Sequence, residues 1–297
     1  MKESPFSDAK TEGIKNGEPL ESIKTPEEET LFTAGMEITP DGLYTLVYHY
    51  HHPETGKEIV LLGMNHWGSG AYFNEAGEYL KDRDVIIHEG VRPENRERYQ
   101  EIWKRLDEIL EQEISPMDKE FHEVSEKYMR TAFQKLQLKT EREVSREDQK
   151  NWIAGDETFL LSLTEEESLK NYARQQLAAF RRIPDATKQA LIKIFADGIR
   201  NMDKGEWPAR DLANCYRIIS PIEELYAIPS QERKREELVM QTLEKVFREK
   251  NTRRVAIKFG ATHAKGLKNL LQAKGYIIKK VDRIKNLDFA AGHNVES

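Results

Sequence analysis

Cysteine is almost missing from this chain: Cys215 is the only one in 297 residues. One thiol excludes a disulfide framework within the chain and any zinc site built from several cysteines. Long apolar runs are also lacking, and no stretch reaches the roughly 18 uninterrupted apolar residues of a membrane helix. The first residues, Met1-Lys2-Glu3-Ser4-Pro5, lack the apolar core of a secretory signal. A cytoplasmic chain with no membrane partner is expected. An excess of positive charge is missing too: Lys and Arg number 46 against 52 Asp and Glu, a net charge of −6. No extended nucleic-acid surface is expected from that balance. The basic run Arg233-Lys234-Arg235 lies among Glu232, Glu236 and Glu237 and reads as a solvated helix face. No repeat in the range of about 20–50 residues suggests a solenoid.

What is present is a local pattern that occurs twice. Ile59-Val60-Leu61-Leu62 runs into Gly63-Met64-Asn65-His66, and Val255-Ala256-Ile257-Lys258-Phe259 runs into Gly260-Ala261-Thr262-His263. Each reads as a buried strand that stops at a glycine and presents a histidine just beyond its carboxyl end. A third apolar run, Val85-Ile86-Ile87, ends in His88-Glu89-Gly90 and offers a carboxylate. In open α/β sheets ligands bind outside the carboxyl ends of the strands. Two imidazoles and a carboxylate meeting there suit a divalent metal. His66, His263 and Glu89 are therefore the candidate metal ligands, for Mn, Zn or Co. A salt bridge from Glu89 to Arg92 is the plainer alternative for that carboxylate. His88 points to the opposite face if its strand is regular. The cluster of His49, His51 and His52 near a polar turn reads as surface.

Residues 1–30 are rich in Glu, Lys, Ser, Thr and Pro without a period and read as a disordered arm. Leu43–Tyr48 and Glu58–Leu62 read as a hairpin around Pro53-Glu54-Thr55-Gly56. From about 93 to 250 the period becomes helical, with Tyr99, Ile102, Trp103, Leu106, Ile109 and Leu110 marking one amphipathic helix. Further helical segments are expected at 160–169, 172–180, 188–200 and 238–247. A strand at 254–259, a helix at 264–273 and a strand at 276–281 close the chain, with an irregular tail from 285 to 297. The expected fold class is α/β: a mixed or mostly parallel sheet flanked by helices, with a large helical insertion between the early and late strands. One domain over 31–284 holds it all.

Two polar segments lie inside the insertion. Trp207-Pro208-Ala209-Arg210-Asp211 reads as a proline-started helix with Arg210 in its first turn, suited to a carboxylate or a developing oxyanion. Asn151-Trp152-Ile153-Ala154-Gly155-Asp156 reads as a core tryptophan followed by a helix cap.

Together these motifs resemble the TraB/Tiki (EreA/ChaN-like) superfamily, in its TraB/GumN-like branch. Phe259-Gly260-Ala261-Thr262-His263-Ala264-Lys265-Gly266-Leu267, followed by Gly275-Tyr276, carries the resemblance most specifically. Gly63 and His66 match the first Gly-x-x-His of that family, and Glu89 its glutamate. Ala209-Arg210-Asp211 is similar to its Arg-containing helix start, with alanine in place of a glutamate, and Trp152–Asp156 to its Trp-x-x-Gly-Asp segment. The resemblance spans residues 58 to 281 and implies paired motifs around one crevice. In Tiki-type members it implies metal-dependent proteolysis; other members are esterases or bind haem. The expected function is a metal-dependent, peptidase-like hydrolase of a peptide or small-molecule substrate, with Arg210 on the substrate or the oxyanion. The alternatives are a metal-free esterase-type hydrolase, with His66 as base oriented by Glu89, and a non-catalytic binder of a peptide, haem or anionic small molecule.

Overall fold

A computed structural model describes residues 31–32, 35–141, 151–205, 229–250 and 252–288. The expected α/β class is observed: a mixed sheet with helices on both faces. The hairpin forms as read, β3 (Gly42–His51) pairing antiparallel with β4 (Glu58–Met64). Gly56 in its turn has a φ of 65°, a conformation glycine adopts without strain.

The architecture turns on the four strands that follow. β4 lies parallel to β9 (Arg254–Gly260), β9 to β6 (Val85–His88), and β6 to β8 (Trp152–Ala154). The late strand β9 is thus inserted between two early ones. Parallel strands need crossover connections, which the intervening helices supply. On the antiparallel side, β3 pairs with β2 (Met36–Thr39) through residues 42–45 and with β4 through 47–51. β10 (Ile277–Asp288) runs antiparallel along β3 over its length, and β1 (Leu31–Phe32) pairs with β2.

Alternation along the strands divides the core. Ile59, Leu61, Ile87, Val255, Ile257 and Phe259 face α7 (Pro229–Glu249) and α8 (Ala264–Ala273). Val60, Leu62, Met64, Ile86 and Ala256 face α1 (Gly70–Leu80) on the other side. A one-residue slip would send each set to the wrong face, so the register is firmly set.

Between β6 and β9 run α2 (Arg96–Glu113), α3 (Pro116–Lys135), α4 (Glu157–Ser162), α5 (Glu166–Phe180) and α6 (Asp185–Asp203). Two expectations need correction here. The insertion is not wholly helical, because Trp152–Ala154 joins the main sheet as β8. The helix expected at 160–169 is two helices with a break over Leu163–Glu165.

A third correction concerns the end of the domain. The tail expected to be irregular from 285 is strand through Asp288, so the folded unit continues past 284. A register shift between Lys285 and Leu287 lets neighbouring Asn286 and Leu287 both be buried, which breaks the alternation that marks a strand.

Candidate functional site

Because β4, β9 and β6 are neighbours, their carboxyl ends bring His66, His263 and Glu89 together. The register places Met64 beside Gly260. His66 Nε2 lies 3.5 Å from Glu89 Oε2, and His263 Nε2 lies 3.9 Å from Glu89 Oε1. Two imidazoles nearly two hundred residues apart meet at one carboxylate.

Glu89 is the hub of the cluster. Its Oε2 accepts a 2.7 Å hydrogen bond from the Gly260 N–H. Its Oε1 accepts from Arg235 Nη2 at 2.5 Å. The same guanidinium holds Asp156 through Nε at 2.7 Å and Nη2 at 2.5 Å. The Asp156 side chain is 0% exposed, and its Oδ1 accepts from the Gly90 N–H at 3.0 Å. Gly260 is required by close approach: a Cβ there would stand 3.0 Å from both Glu89 Oε2 and His66 Nε2.

Each imidazole has a further carboxylate at its far nitrogen. His66 Nδ1 hydrogen-bonds Glu141 Oε2 at 2.7 Å. Glu141 reaches this point through a small sheet, in which β5 (Trp67–Gly68) pairs with β7 (Lys139–Thr140). The Glu141 N–H also donates to the His66 carbonyl at 2.8 Å. Lys258, buried on β9, ion-pairs with the other Glu141 oxygen and lies 4.7 Å over the Trp152 ring. On the opposite face His263 Nδ1 lies 3.5 Å from Glu236 Oε1 on α7.

The electrostatics follow from this arrangement. Burial alone would lower the His66 pKa, but the Glu141 and Glu89 carboxylates outweigh it and raise it to about 10. Burial pushes Glu141 upward, yet His66 and Lys258 bring it down to about 2. Glu89 is likewise pushed up by burial and pulled well below the usual range by His66, Arg235 and His263. At neutral pH His66 rests as an imidazolium between two carboxylates.

A raised folded-state pKa stabilises fully below the unfolded value and is lost as pH rises through the folded one. His66 therefore adds stability that is complete below pH 6.5 and fades as pH rises toward 10. Glu141, lowered from 4.5, adds stability that is complete above pH 4.5 and fades toward 2. Thermal melts between pH 6.5 and 10 test the first part. The melting temperature of the native chain should fall more steeply than that of His66→Gln. Parallel slopes would contradict it.

The cluster opens on a cavity of about 810 Å³, lined by His66, Glu89, Glu141, Lys258, Arg96 and Tyr99 among others. That is within the ordinary size range of small-molecule sites.

Several expectations change on this geometry. His66, Glu89 and His263 do converge, but among the described residues no three His, Cys, Asp or Glu side chains are arranged to hold a metal ion. The physical reason lies in Glu89. One oxygen is taken by a guanidinium and the other by a backbone N–H, so Arg235 supplies the positive charge that Mn, Zn or Co was expected to bring. The donor set does not fit a metal in this arrangement, and no step is assigned to one.

Glu89 does not pair with Arg92, which binds Glu157 and Glu94 instead. Glu141, rather than Glu89, orients His66. Asp156 precedes α4 as expected, but its side chain serves Gly90 and Arg235 rather than that helix. His88 falls on the α1 face, against Trp152. Arg210 lies outside the described residues.

Arg235, Glu236 and Glu141 were missed by the sequence reading. Arg235 and Glu236, expected on a solvated face, both lie on the inner side of α7. The stripe Val239, Met240, Leu243, Val246 and Phe247, extended back by three and four residues, reaches them. No comparable signal marks Glu141, which sits in a polar segment.

Compared with protein-family models, with curated proteins and with solved structures, the chain matches none of them.

Proposed function

We propose that this chain is a hydrolase of esters or peptides that works by acid–base chemistry, with His66 as the proton donor and Glu89 as the acceptor. The observation that carries this reading is the contact of His66 Nε2 with Glu89 at the cavity, while Glu141 holds Nδ1 at 2.7 Å. Titratable neighbours whose environments push their pKa values apart mark an acid and a base. Here the imidazole is pushed up and the carboxylate down.

In the proposed cycle water adds to the carbonyl carbon of the substrate and passes a proton to Glu89 Oε2. His66 gives its Nε2 proton to the leaving alkoxide or amine as the C–O or C–N bond breaks. The proton on Glu89 then returns to His66 across their 3.5 Å contact, which restores the resting site. Arg235 is committed to Glu89 and Asp156, so it holds the base in place rather than the substrate. The scheme takes up the esterase-type side of the TraB/Tiki resemblance, with Glu89 rather than His66 as the base.

p-Nitrophenyl acetate and a panel of fluorogenic peptides are the probes. Turnover by the native chain, lost in Glu89→Gln, supports the proposal. Saturable binding of a probe without turnover would instead favour a binding module. The protein should keep its activity after exhaustive treatment with EDTA. Loss on chelation with recovery on added Mn, Zn or Co would return His66 and His263 to the role of ligands.

A further inference from the structure

The second imidazole has no job in that cycle, and its surroundings are unusual. The His263 side chain is 4% exposed. Among the described residues its Nδ1 is buried with no hydrogen-bond partner. Glu236 Oε1 stands 3.5 Å from that nitrogen, and the Glu236 side chain is only 10% exposed. A buried carboxylate facing a buried, unsatisfied imidazole nitrogen is costly unless the two share a proton.

Gly266 accounts for how Glu236 gets there. It is the third residue of α8, where glycine favours the helix less than alanine would. A Cβ at this position would fall 1.9 Å from Glu236 Oε2 and 2.3 Å from Oε1. The Glu236 carboxylate occupies the space that a side chain at 266 would fill. This gives a physical reason for the glycine three residues after His263 in Gly260-Ala261-Thr262-His263-Ala264-Lys265-Gly266.

We infer that Glu236 is a positioning residue: seated over Gly266, it accepts the Nδ1–H of His263 and turns Nε2 of that ring toward Glu89. Nε2 of His263 then lies 3.9 Å from Glu89 Oε1, on the side of the carboxylate away from His66. α7 thus sets the base from two adjacent residues, with Arg235 on Glu89 itself and Glu236 on the imidazole behind it. The inference rests on the hydrolase reading for its kinetic consequence, but the proton position on His263 does not depend on it.

The experiment uses full-length chain carrying 15N-labelled histidine, with p-nitrophenyl acetate as the kinetic probe. In the native chain, His263 should show a protonated Nδ1, as a hydrogen bond to Glu236 requires. Gly266→Ala removes no ionisable group and displaces the Glu236 carboxylate. It should scramble this pattern and lower kcat by about 10- to 100-fold with KM little changed, as small misplacements near reacting groups do. Glu236→Gln should do the same; if that variant does not fold, Gly266→Ala decides alone. In Glu236→Asp the shorter side chain vacates the space over residue 266. Adding Gly266→Ala to it should cost little, a non-additive pair.

Unchanged His263 resonances in Gly266→Ala would overturn the inference, and so would changed resonances with native kcat. If the native chain turns over no probe, the hydrolase reading fails and the nitrogen resonances alone decide on Glu236.

Discussion

Arg235→Met should cost about 3–5 kcal/mol of stability, the range for removing one partner of a buried ion pair. For a domain of this size that is a fall in melting temperature of roughly 10 °C. The effect is large because one guanidinium serves two acids. The Asp156 side chain is 0% exposed, and among the described residues it keeps only the Gly90 N–H once Arg235 is gone. Its carboxyl is already pushed upward by burial, against the pull of Arg235. Glu89 would lose its Oε1 partner at the same time.

Adding Asp156→Asn to Arg235→Met removes the stranded charge and keeps an acceptor for Gly90, so it should recover part of the loss. Thermal unfolding of the two variants beside the native chain measures both effects. An Arg235→Met protein that melts with the native chain would mean that the guanidinium is not the counter-charge of this site.

His66→Ala should lower kcat by about 10²- to 10⁴-fold, the usual contribution of a positioned proton donor. The variant should still fold at neutral pH, though it gives up the stability that protonated His66 adds there. The His66 side chain is 56% exposed, Glu141 keeps Lys258, and Glu89 keeps Arg235 and the Gly260 N–H. The native profile of kcat should be level through neutrality and fall as pH rises toward 10, where His66 loses its proton. Activity that climbs over the same range would assign His66 as a base and contradict the scheme. Native turnover in His66→Ala would remove the residue from the chemistry altogether.

Much of this site was legible in the sequence because its three central residues sit at the ends of strongly apolar strands. A run such as Ile59–Leu62 that stops at Gly63 announces both the strand and the place where a side chain emerges. Parallel pairing of β4, β9 and β6 then brings His66, His263 and Glu89 side by side without further information.

The residues around that centre were less legible for a physical reason. Arg235 and Glu236 are charged, and charge in a mixed run normally signals solvent. Only the apolar stripe of α7 shows that these two face inward, where each meets an opposite or titratable partner. Glu141 comes from a two-residue strand pairing that no periodicity can reveal. The metal expectation was drawn with the same blind spot. Two histidines and a glutamate look like a ligand set until a guanidinium from a distant helix appears on the glutamate.

The end of β10 was hidden differently. Asn286 is 1% exposed, and its amide donates to the Trp67 carbonyl at 3.1 Å. A polar residue that turns inward at a register shift reads, in sequence, like the loss of a strand.

The account turns on the charge that His66 carries when the protein is at rest. Nitrogen-detected NMR of the His66 imidazole across pH 5 to 11 measures it directly. Both ring nitrogens should stay protonated through pH 8 and titrate near pH 10, as two flanking carboxylates dictate. Titration at the ordinary value near 6.5 would leave a neutral ring at physiological pH, and the proposed proton donor would be gone.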